Sequence, residues 1–301
     1  MTADIQRQRQ ADQLPDSEYL RHYPGFRVLK RHVVENPVIS VLVRVKNEVR
    51  AIGPFLDSVR KQTIFDRTEV VVLDSGSTDG TVETVLKFPA SLYQIAPEEF
   101  SFGDSCNLIC SLASSPVLCL MSGHISFSAT DLLDRAAAAV DPQSLSAGYL
   151  RQIPNLEQGS SSYERAWLKH RFPSGLAKVR LYRGRHSFSN AASVFSAVSW
   201  KRIPFPSIQA SEDFFWAESL LARAGEVSYL PYLEVAHSHN ETPADAYRRV
   251  KINVEARGSR RRWLSGGKYL LGVTVSCLRE GASPAEALRY GLAHARPYVF
   301  L

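Results

Sequence analysis

The sequence predicts an α/β fold: a Rossmann-like, mostly parallel sheet flanked by helices, with a helical C-terminal appendage. Three observations predict it. Residues 38–45 (apolar but for Ser40 and Arg44), 70–73 and 117–121 are short apolar runs, the pattern of strands buried on both faces. The first two end in polar residues and lead into segments whose apolar side chains recur at helical spacing. A third short strand at 92–95 then completes a β-α-β-α-β order, which belongs to a doubly wound sheet. Ligands in such sheets bind outside the carboxyl ends of the strands, so the strand ends are where function is sought.

Composition narrows the class. The 301 residues suffice for one large α/β domain with an appendage. Hydrophobic content of 45% is ordinary for a globular chain. No apolar run approaches the roughly 20 residues of a membrane span, and residues 269–278 reach about half of it. The polar start, MTADIQRQRQADQ, has no secretory pattern, so a cytoplasmic protein is expected. Cys106, Cys110, Cys119 and Cys277 show no metal or disulfide spacing and read as small apolar residues in a reducing compartment. The formal charge is +6, and Arg248, Arg249, Lys251, Arg257, Arg260, Arg261 and Arg262 crowd the last third. They form either a solvated helix face or a contact for an anionic membrane surface or diphosphate groups. No nucleic-acid motif accompanies them, so no nucleic-acid partner is expected.

Taken in order, residues 1–36 read as a polar arm whose later part packs through Tyr19, Tyr23, Phe26 and Val28. The strand at 38–45, which includes Val43, ends at Asn47 and Glu48. Ile52, Phe55, Leu56 and Val59 then mark a helix. The strand at 70–73 ends at Asp74. Ser75, Gly76, Ser77, Thr78, Asp79 and Gly80 turn the chain into a helix carrying Val82, Val85 and Leu86. Asp74 and Asp79 are placed to accept hydrogen bonds from a base or a ribose; alternatively, Asp79 caps the helix and Asp74 merely ends the strand. A loop with Phe100, Phe102 and Gly103 precedes a helix with Asn107. The strand at 117–121 ends in Ser122, Gly123 and His124.

A helix over 131–140 follows, with Ser128 or Thr130 as cap, then a strand at 146–152 and a helix at 163–170. Residues 171–189 are poor in apolar and rich in basic side chains, as in a lid over a diphosphate or a solvated loop. A strand at 190–197 leads to a helix over 211–225, with Ser211 as cap and Glu212 and Asp213 in its first turn. Acidic residues there suit the helix dipole. Short strands at 227–230 and 235–239 precede a helix over 243–262. Trp263 and residues 269–278 and 285–295 suggest a further helical hairpin, which would rest on a membrane surface, pack, or dimerise. The expected units are an arm (1–36), a catalytic domain (37–242) and a helical region (243–301).

The stretches VISVLVRVKNE (38–48) and EVVVLDSGSTDGT (69–81) resemble the opening of a family 2 glycosyltransferase with the GT-A fold, nearest in character to bacterial rhamnosyltransferase-like members. The resemblance runs from about 38 to about 258. It implies an inverting transferase that moves a sugar from a nucleotide-sugar donor to a glycan or lipid-linked acceptor in bacterial surface polysaccharide assembly, peripheral at the inner face of the membrane. By position, it implies donor contacts at Val43, Asn47, Glu48, Asp74, Ser75, Gly76, Asp79, Asn107, Ser122, Gly123, His124 and Asn190. It implies Asp213 as the general base that takes the acceptor's proton, with Glu212 as its neighbour.

Two positions depart from the family pattern. Cys106 stands where relatives carry an Arg before Asn107. Ser122-Gly123-His124 replaces the acidic motif that holds a divalent cation, Mn²⁺ or Mg²⁺. Imidazole suits borderline transition metals better than Mg²⁺. His124 is therefore read as a Mn²⁺ ligand, as a donor to the diphosphate, or as a residue filling the corner. The family often has a His-Ser-His stretch where this chain has His237, Ser238 and His239. Together with His124 these would form a nitrogen-rich metal site, for which His124 and His239 are the candidates. The rival reading is a degenerate GT-A domain that binds nucleotide or glycan without turnover. A dehydrogenase or nucleotidyltransferase is disfavoured, because the first βα turn has no G-x-G-x-x-G.

Overall fold

The computed structural model describes residues 18–157, 159–257 and 263–300. Arg260, Arg261 and Arg262 of the basic cluster lie outside the described residues, as does the polar start of the chain. The strands are β1 (Arg27–Lys30), β2 (Ile39–Val45), β3 (Thr68–Asp74), β4 (Ser91–Gln94), β5 (Val117–Ser122), β6 (Ser146–Ile153), β7 (Val179–Arg180), β8 (Ala192–Ser196) and β9 (Glu226–Ala236). They form one sheet in the order β1-β4-β3-β2-β5-β8-β6-β9-β7. Strands β2, β3, β4 and β5 are parallel, and β6 and β9 run with them; β1, β7 and β8 run the other way. The sheet is thus mostly parallel, with β8 inserted antiparallel between β5 and β6.

Alternation along the strands feeds two cores. Ile39, Val41, Val43 and Val45 of β2, with Val70 and Val72 of β3, face one side. There they meet Ile52, Phe55, Leu56 and Val59 of α1 (Val49–Arg60) and Leu132, Leu133 and Ala136 of α4 (Leu132–Ala138). Leu42, Val71, Leu73, Leu118 and Leu120 face the other side. They meet Leu108 and Ile109 of α3 (Phe102–Ser111) and Trp216 and Leu220 of α7 (Glu212–Ala222). A period of two sends neighbouring residues to opposite faces, so continuous apolar runs require helices on both sides. Short α2 (Thr81–Leu86) and α6 (Ala197–Arg202) complete the layers.

The appendage is built from α8 (Pro243–Ala256), α9 (Trp263–Arg279) and α10 (Pro284–Phe300), packed with α5 (Ser162–Arg171) around Tyr163, Ala246, Cys277, Ala287 and Tyr290. A Cβ on Gly291 would lie 2.2 Å from Thr274 Oγ1 and 2.9 Å from the Leu270 carbonyl, so glycine sets how closely α9 and α10 approach. Among the described residues, no helix is long and apolar enough to cross a membrane.

Several elements differ from the sequence-based expectation. Residues 27–30, expected within an arm, add edge strand β1. The two short strands at 227–230 and 235–239 are one long strand, β9, whose register against β6 breaks after Leu230. Part of the basic 171–189 segment is edge strand β7, held by Tyr229 and Ser228 of β9. Backbone pairing with a neighbouring strand does not depend on apolar side chains at a solvated edge, so composition gave no sign of it. Asp131, not Ser128 or Thr130, stands at the start of α4.

Candidate active site

The carboxyl ends of β2, β3, β5 and β9 open into a cleft of about 620 Å³, within the usual range for a small-molecule site. Its floor takes Arg44, Lys46 and Glu48 from the end of β2, Ser75 after β3, and Ser122 and His124 after β5. Gln152 of β6, Asn190 before β8, and His237 and His239 after β9 close it on one side. Ser211, Glu212 and Asp213 from the start of α7 and Glu164, Trp167 and Arg249 from α5 and α8 form the far wall.

The structure brings together Glu48, Ser75, Ser122, His124, Asn190, Glu212, Asp213 and His239 of the sequence candidates. It does not bring the others into the cleft. Val43 is fully buried in the core beside α1. Asp74 is fully buried, and its carboxylate accepts from the Gly76 and Ser77 amides at 3.0 Å and from Gln94 Nε2 at 2.8 Å. Asp79 accepts from the Val49 and Thr81 amides and the Thr81 hydroxyl, so it joins the start of α1 to the start of α2. Asn47 sits at φ 56°, a conformation Asn tolerates, and its Oδ1 accepts from the Thr78 amide at 2.9 Å. Gly76 adopts φ +82° against Pro97. Gly123 faces the Val45 and Ile52 side chains. Asn107 is buried: its Oδ1 accepts from Trp200 Nε1 and the Phe205 amide, and its Nδ2 donates to the Phe205 carbonyl. For Asp74 and Asp79 the physical reason is shared. A polar group at a buried strand end is first claimed by unpaired backbone groups of its own turn.

Three imidazoles converge on one side of the cleft. The ligand atoms of His124, His237 and His239 lie within 4.8 Å of one another. His124 Nδ1 is 2.9 Å from Glu48 Oε1, and His237 Nδ1 is 2.8 Å from Gln152 Oε1. The Glu48 carboxylate accepts, which places a proton on His124 Nδ1, while the Gln152 amide orients the His237 ring. The two Nε2 atoms then face each other at 3.0 Å. That separation suits a proton shared between the two nitrogens. Burial, reinforced by the other imidazoles, holds His237 well below the ordinary histidine pKa, and His239 is lowered for the same reasons. Neutral imidazoles with free lone pairs are metal ligands.

The acidic pair sits at a strained corner. Ser211 adopts φ 63°, which costs about 1–3 kcal/mol for a non-glycine residue. It was expected to cap α7, but its hydroxyl donates to Asn253 Oδ1 at 2.6 Å instead. Glu212 is buried; Asn190 Nδ2 donates to it at 3.3 Å, and Arg44 lies 3.8 Å away. Burial, then the Glu212 charge, raises the Asp213 pKa to about 6, against the pull of its own helix start and of Arg171 and Arg257.

Arg44, Lys46, Glu164 and Trp167 escaped the sequence reading, and Arg249 entered it only as one of the basic cluster. Arg44 did leave a signal: it is the one charged residue inside an otherwise buried strand. Its Nη1 donates to the Phe102 carbonyl and to Ser105 Oγ. It thus brings a guanidinium to the turn of α3 beside Cys106, the position where an Arg was missing.

The model of glycosyl transferase family 2 matches residues 40–200, more than half of the chain. The chain belongs to glycosyl transferase family 2. It is therefore a glycosyltransferase. The transferase is 22% identical over 203 residues to the O-antigen chain rhamnosyltransferase RfbN of Salmonella typhimurium, and 21% identical over 195 residues to WbaN of Salmonella anatum. These matches span 64% and 60% of either chain, less than two thirds of the relatives' length. Staphylococcus aureus TarS 1-349 in complex with UDP superposes with a TM-score of 0.55 at 16% identity, covering 87% of this chain and 89% of TarS. Mannosyltransferase PcManGT of Pyrobaculum calidifontis, in complex with GDP-Man and Mn²⁺, gives 0.56 at 17% identity, covering 92% and 76%. The transferase has the GT-A fold. Its Glu212, Asp213, His237 and His239 lie beyond the matched span, so their roles are argued from geometry.

Proposed function

We propose that the protein transfers a glycosyl group, with inversion, from a nucleoside-diphosphate sugar to a hydroxyl of a glycan or lipid-linked acceptor in bacterial surface polysaccharide assembly. One observation carries the reading: Asp213 lines the same cleft as the imidazole cluster, with its pKa raised to about 6. A carboxylate of that basicity is ionised at neutral pH, yet a better proton acceptor than an exposed one. The acceptor oxygen attacks the anomeric carbon while Asp213 takes its proton. The bond from that carbon to the diphosphate oxygen breaks, and the nucleoside diphosphate leaves. One displacement inverts the centre. Burial, and then repulsion by Glu212, hold Asp213 basic, and Arg44 and Lys46 offer positive charge to the leaving group.

The imidazole donor set fits a divalent cation, Mn²⁺ or a similar borderline ion better than Mg²⁺. His124, His237 and His239 would hold it, and when bound it would neutralise charge on the diphosphate. The Mn²⁺ in PcManGT supports this. UDP in TarS and GDP-Man in PcManGT support a nucleotide-sugar donor, and RfbN and WbaN support a surface-polysaccharide setting. For a lipid-linked acceptor, α9 and α10 would provide the contact with the membrane's inner face.

The test is turnover of a panel of UDP-, GDP- and dTDP-sugars, with and without Mn²⁺, for the native chain and Asp213→Asn. Turnover that requires Asp213 supports the reading. Nucleotide binding without turnover, even with extracted lipid-linked acceptors, favours the degenerate binding domain.

A further inference from the structure

Beyond Asp213, Arg249 lines the cleft, and Arg171 and Arg257 stand against its lining residues Trp167 and Ser211. Arg171, the last residue of α5, lays its guanidinium on the Trp167 ring, 4.9 Å from the centroid. Arg249 approaches the same ring at 4.8 Å. Arg257, just past α8, lies over Phe214 at 4.2 Å. These three guanidinium groups are not equivalent. Arg249 is engaged, donating from Nε and Nη2 to both oxygens of Glu241 at 2.7 and 2.9 Å. Glu164, the other carboxylate on this wall, is engaged as well, accepting from the Ser161 and His239 amides. Arg257 has one long contact, Nε to Ser211 Oγ at 3.3 Å. Among the described residues, Arg171 Nε is buried and meets no hydrogen-bond partner.

A buried guanidinium N–H without an acceptor is unfavourable and uncommon. Arg171 and Arg257 also bear on each other and on Asp213. Asp213 offers them one negative charge, and in the proposed mechanism it loses that charge when it takes the acceptor's proton. Arg171, with its Nε buried, would then lose that compensation at the moment of reaction, unless the acceptor brings an anion of its own. Guanidinium groups match carboxylate and phosphate oxygens in a planar fork, and the stacked rings hold both in place.

We infer that Arg171 and Arg257, backed by Trp167 and Phe214, form a subsite for an oxyanion carried by the acceptor, a sugar carboxylate or a phosphate close to the attacking hydroxyl. The inference rests on the proposed role of Asp213, which marks the acceptor end of the cleft.

The test is calorimetric titration of the full chain with inorganic phosphate, methyl β-D-glucuronide and the neutral methyl β-D-glucoside, and separately with UDP, GDP and dTDP. At least one anion is expected to bind tenfold or more tightly than the glucoside. Arg171→Gln and Arg257→Gln should each weaken it fivefold or more, with nucleotide affinity unchanged within twofold. A phosphate response identifies a phosphorylated acceptor, and a glucuronide response an acidic sugar. Anions that bind no better than the glucoside, or equally to both variants, overturn the inference. So does a parallel loss of nucleotide affinity, which would assign the two residues to the donor diphosphate. A native chain that binds none of the nucleotides counts instead against the donor reading, since the anion comparison is made without them. Arg257 is exposed, so its variant tests the subsite even if Arg171→Gln does not fold.

Discussion

Replacing Asp213 with Asn should abolish transfer and stabilise the chain at the same time. The amide keeps the shape and an oxygen for the Phe214 amide, which donates to Asp213 Oδ1 at 2.7 Å; it removes the basicity. Loss of a general base lowers transfer by about 10²–10⁴-fold, or roughly 3–5 kcal/mol of barrier. Stability moves the other way. Burial and then Glu212 raise the Asp213 pKa from 3.8 to about 6. A carboxyl that holds its proton more tightly when folded supports folding fully below about pH 4, and that support is lost as the pH rises through about 6. Above that, the ionised group lowers stability by about 3 kcal/mol at most, at 1.36 kcal/mol per pH unit of difference. Favourable charge at a helix start returns only about 0.3–1 kcal/mol, so desolvation prevails. Urea unfolding should therefore find Asp213→Asn more stable than the native chain by about 2 kcal/mol at pH 8 and nearly equal at pH 4. In the native chain the transfer rate should rise with pH up to a plateau above about 6. A variant that is less stable at pH 8 and keeps transfer within tenfold would refute this reasoning and leave Asp213 as a helix-start charge.

Three further outcomes test other parts of the site and its frame. His124→Ala and His237→Ala should each weaken Mn²⁺ or Co²⁺ binding at least tenfold in a calorimetric titration, and unchanged affinity would dismiss the three-imidazole site. Asn107→Ala strands the buried Trp200 Nε1 and the Phe205 amide and carbonyl, so urea unfolding should show a loss of about 3 kcal/mol; a loss under about 1 would mean that water replaces the amide. Gly103→Ala would set a Cβ 1.9 Å from the Pro206 carbonyl oxygen. A backbone contact cannot rotate away, so thermal unfolding should register a loss of about 3 kcal/mol, and a neutral result would place the 205–207 segment elsewhere.

The parallel half of the sheet was legible because its strands are buried on both faces, and such strands announce themselves as near-continuous apolar runs. β7 left no such trace, being two exposed residues paired through backbone alone. The site divided along the same line. Asp213 and the His-Ser-His stretch were legible as residue types, and a cluster of the latter with His124 was expected; the direct 3.0 Å approach of His124 Nε2 to His237 Nε2 was not. Asp74 and Asp79 looked like ligands because a carboxylate at a strand end is chemically suited to a nucleotide. The backbone amides of their own turns are nearer and claim them first. Arg171 read as part of a basic loop; only its burial and its unpartnered Nε single it out.

The exchange of acidic groups for imidazoles alters the electrostatics of the whole cleft. Aspartates beside a diphosphate bring negative charge that a cation must first neutralise. His237 and His239, kept neutral by burial, bring none, while Glu48 stands behind His124 rather than in front of it. A cation held there would keep more of its charge for the leaving group, and Arg44 and Lys46 add to it from β2. The balance at the other end depends on Glu212 and Asp213. Arg44 is drawn toward Glu212 at 3.8 Å, which leaves Asp213 to face Arg171 and Arg257 alone. The lining cations Arg44, Lys46 and Arg249 face Glu48, Glu164, Glu212, Asp213 and Glu241 across the cleft, so an anionic ligand is drawn by the local positive charge of Arg44 and Lys46, and a nucleotide should bind more weakly as ionic strength rises. An affinity for nucleotide that is indifferent to salt between 50 and 500 mM, roughly a threefold change in Debye length, would argue that the cations are compensated within the protein and that the cleft does not select its ligands by charge.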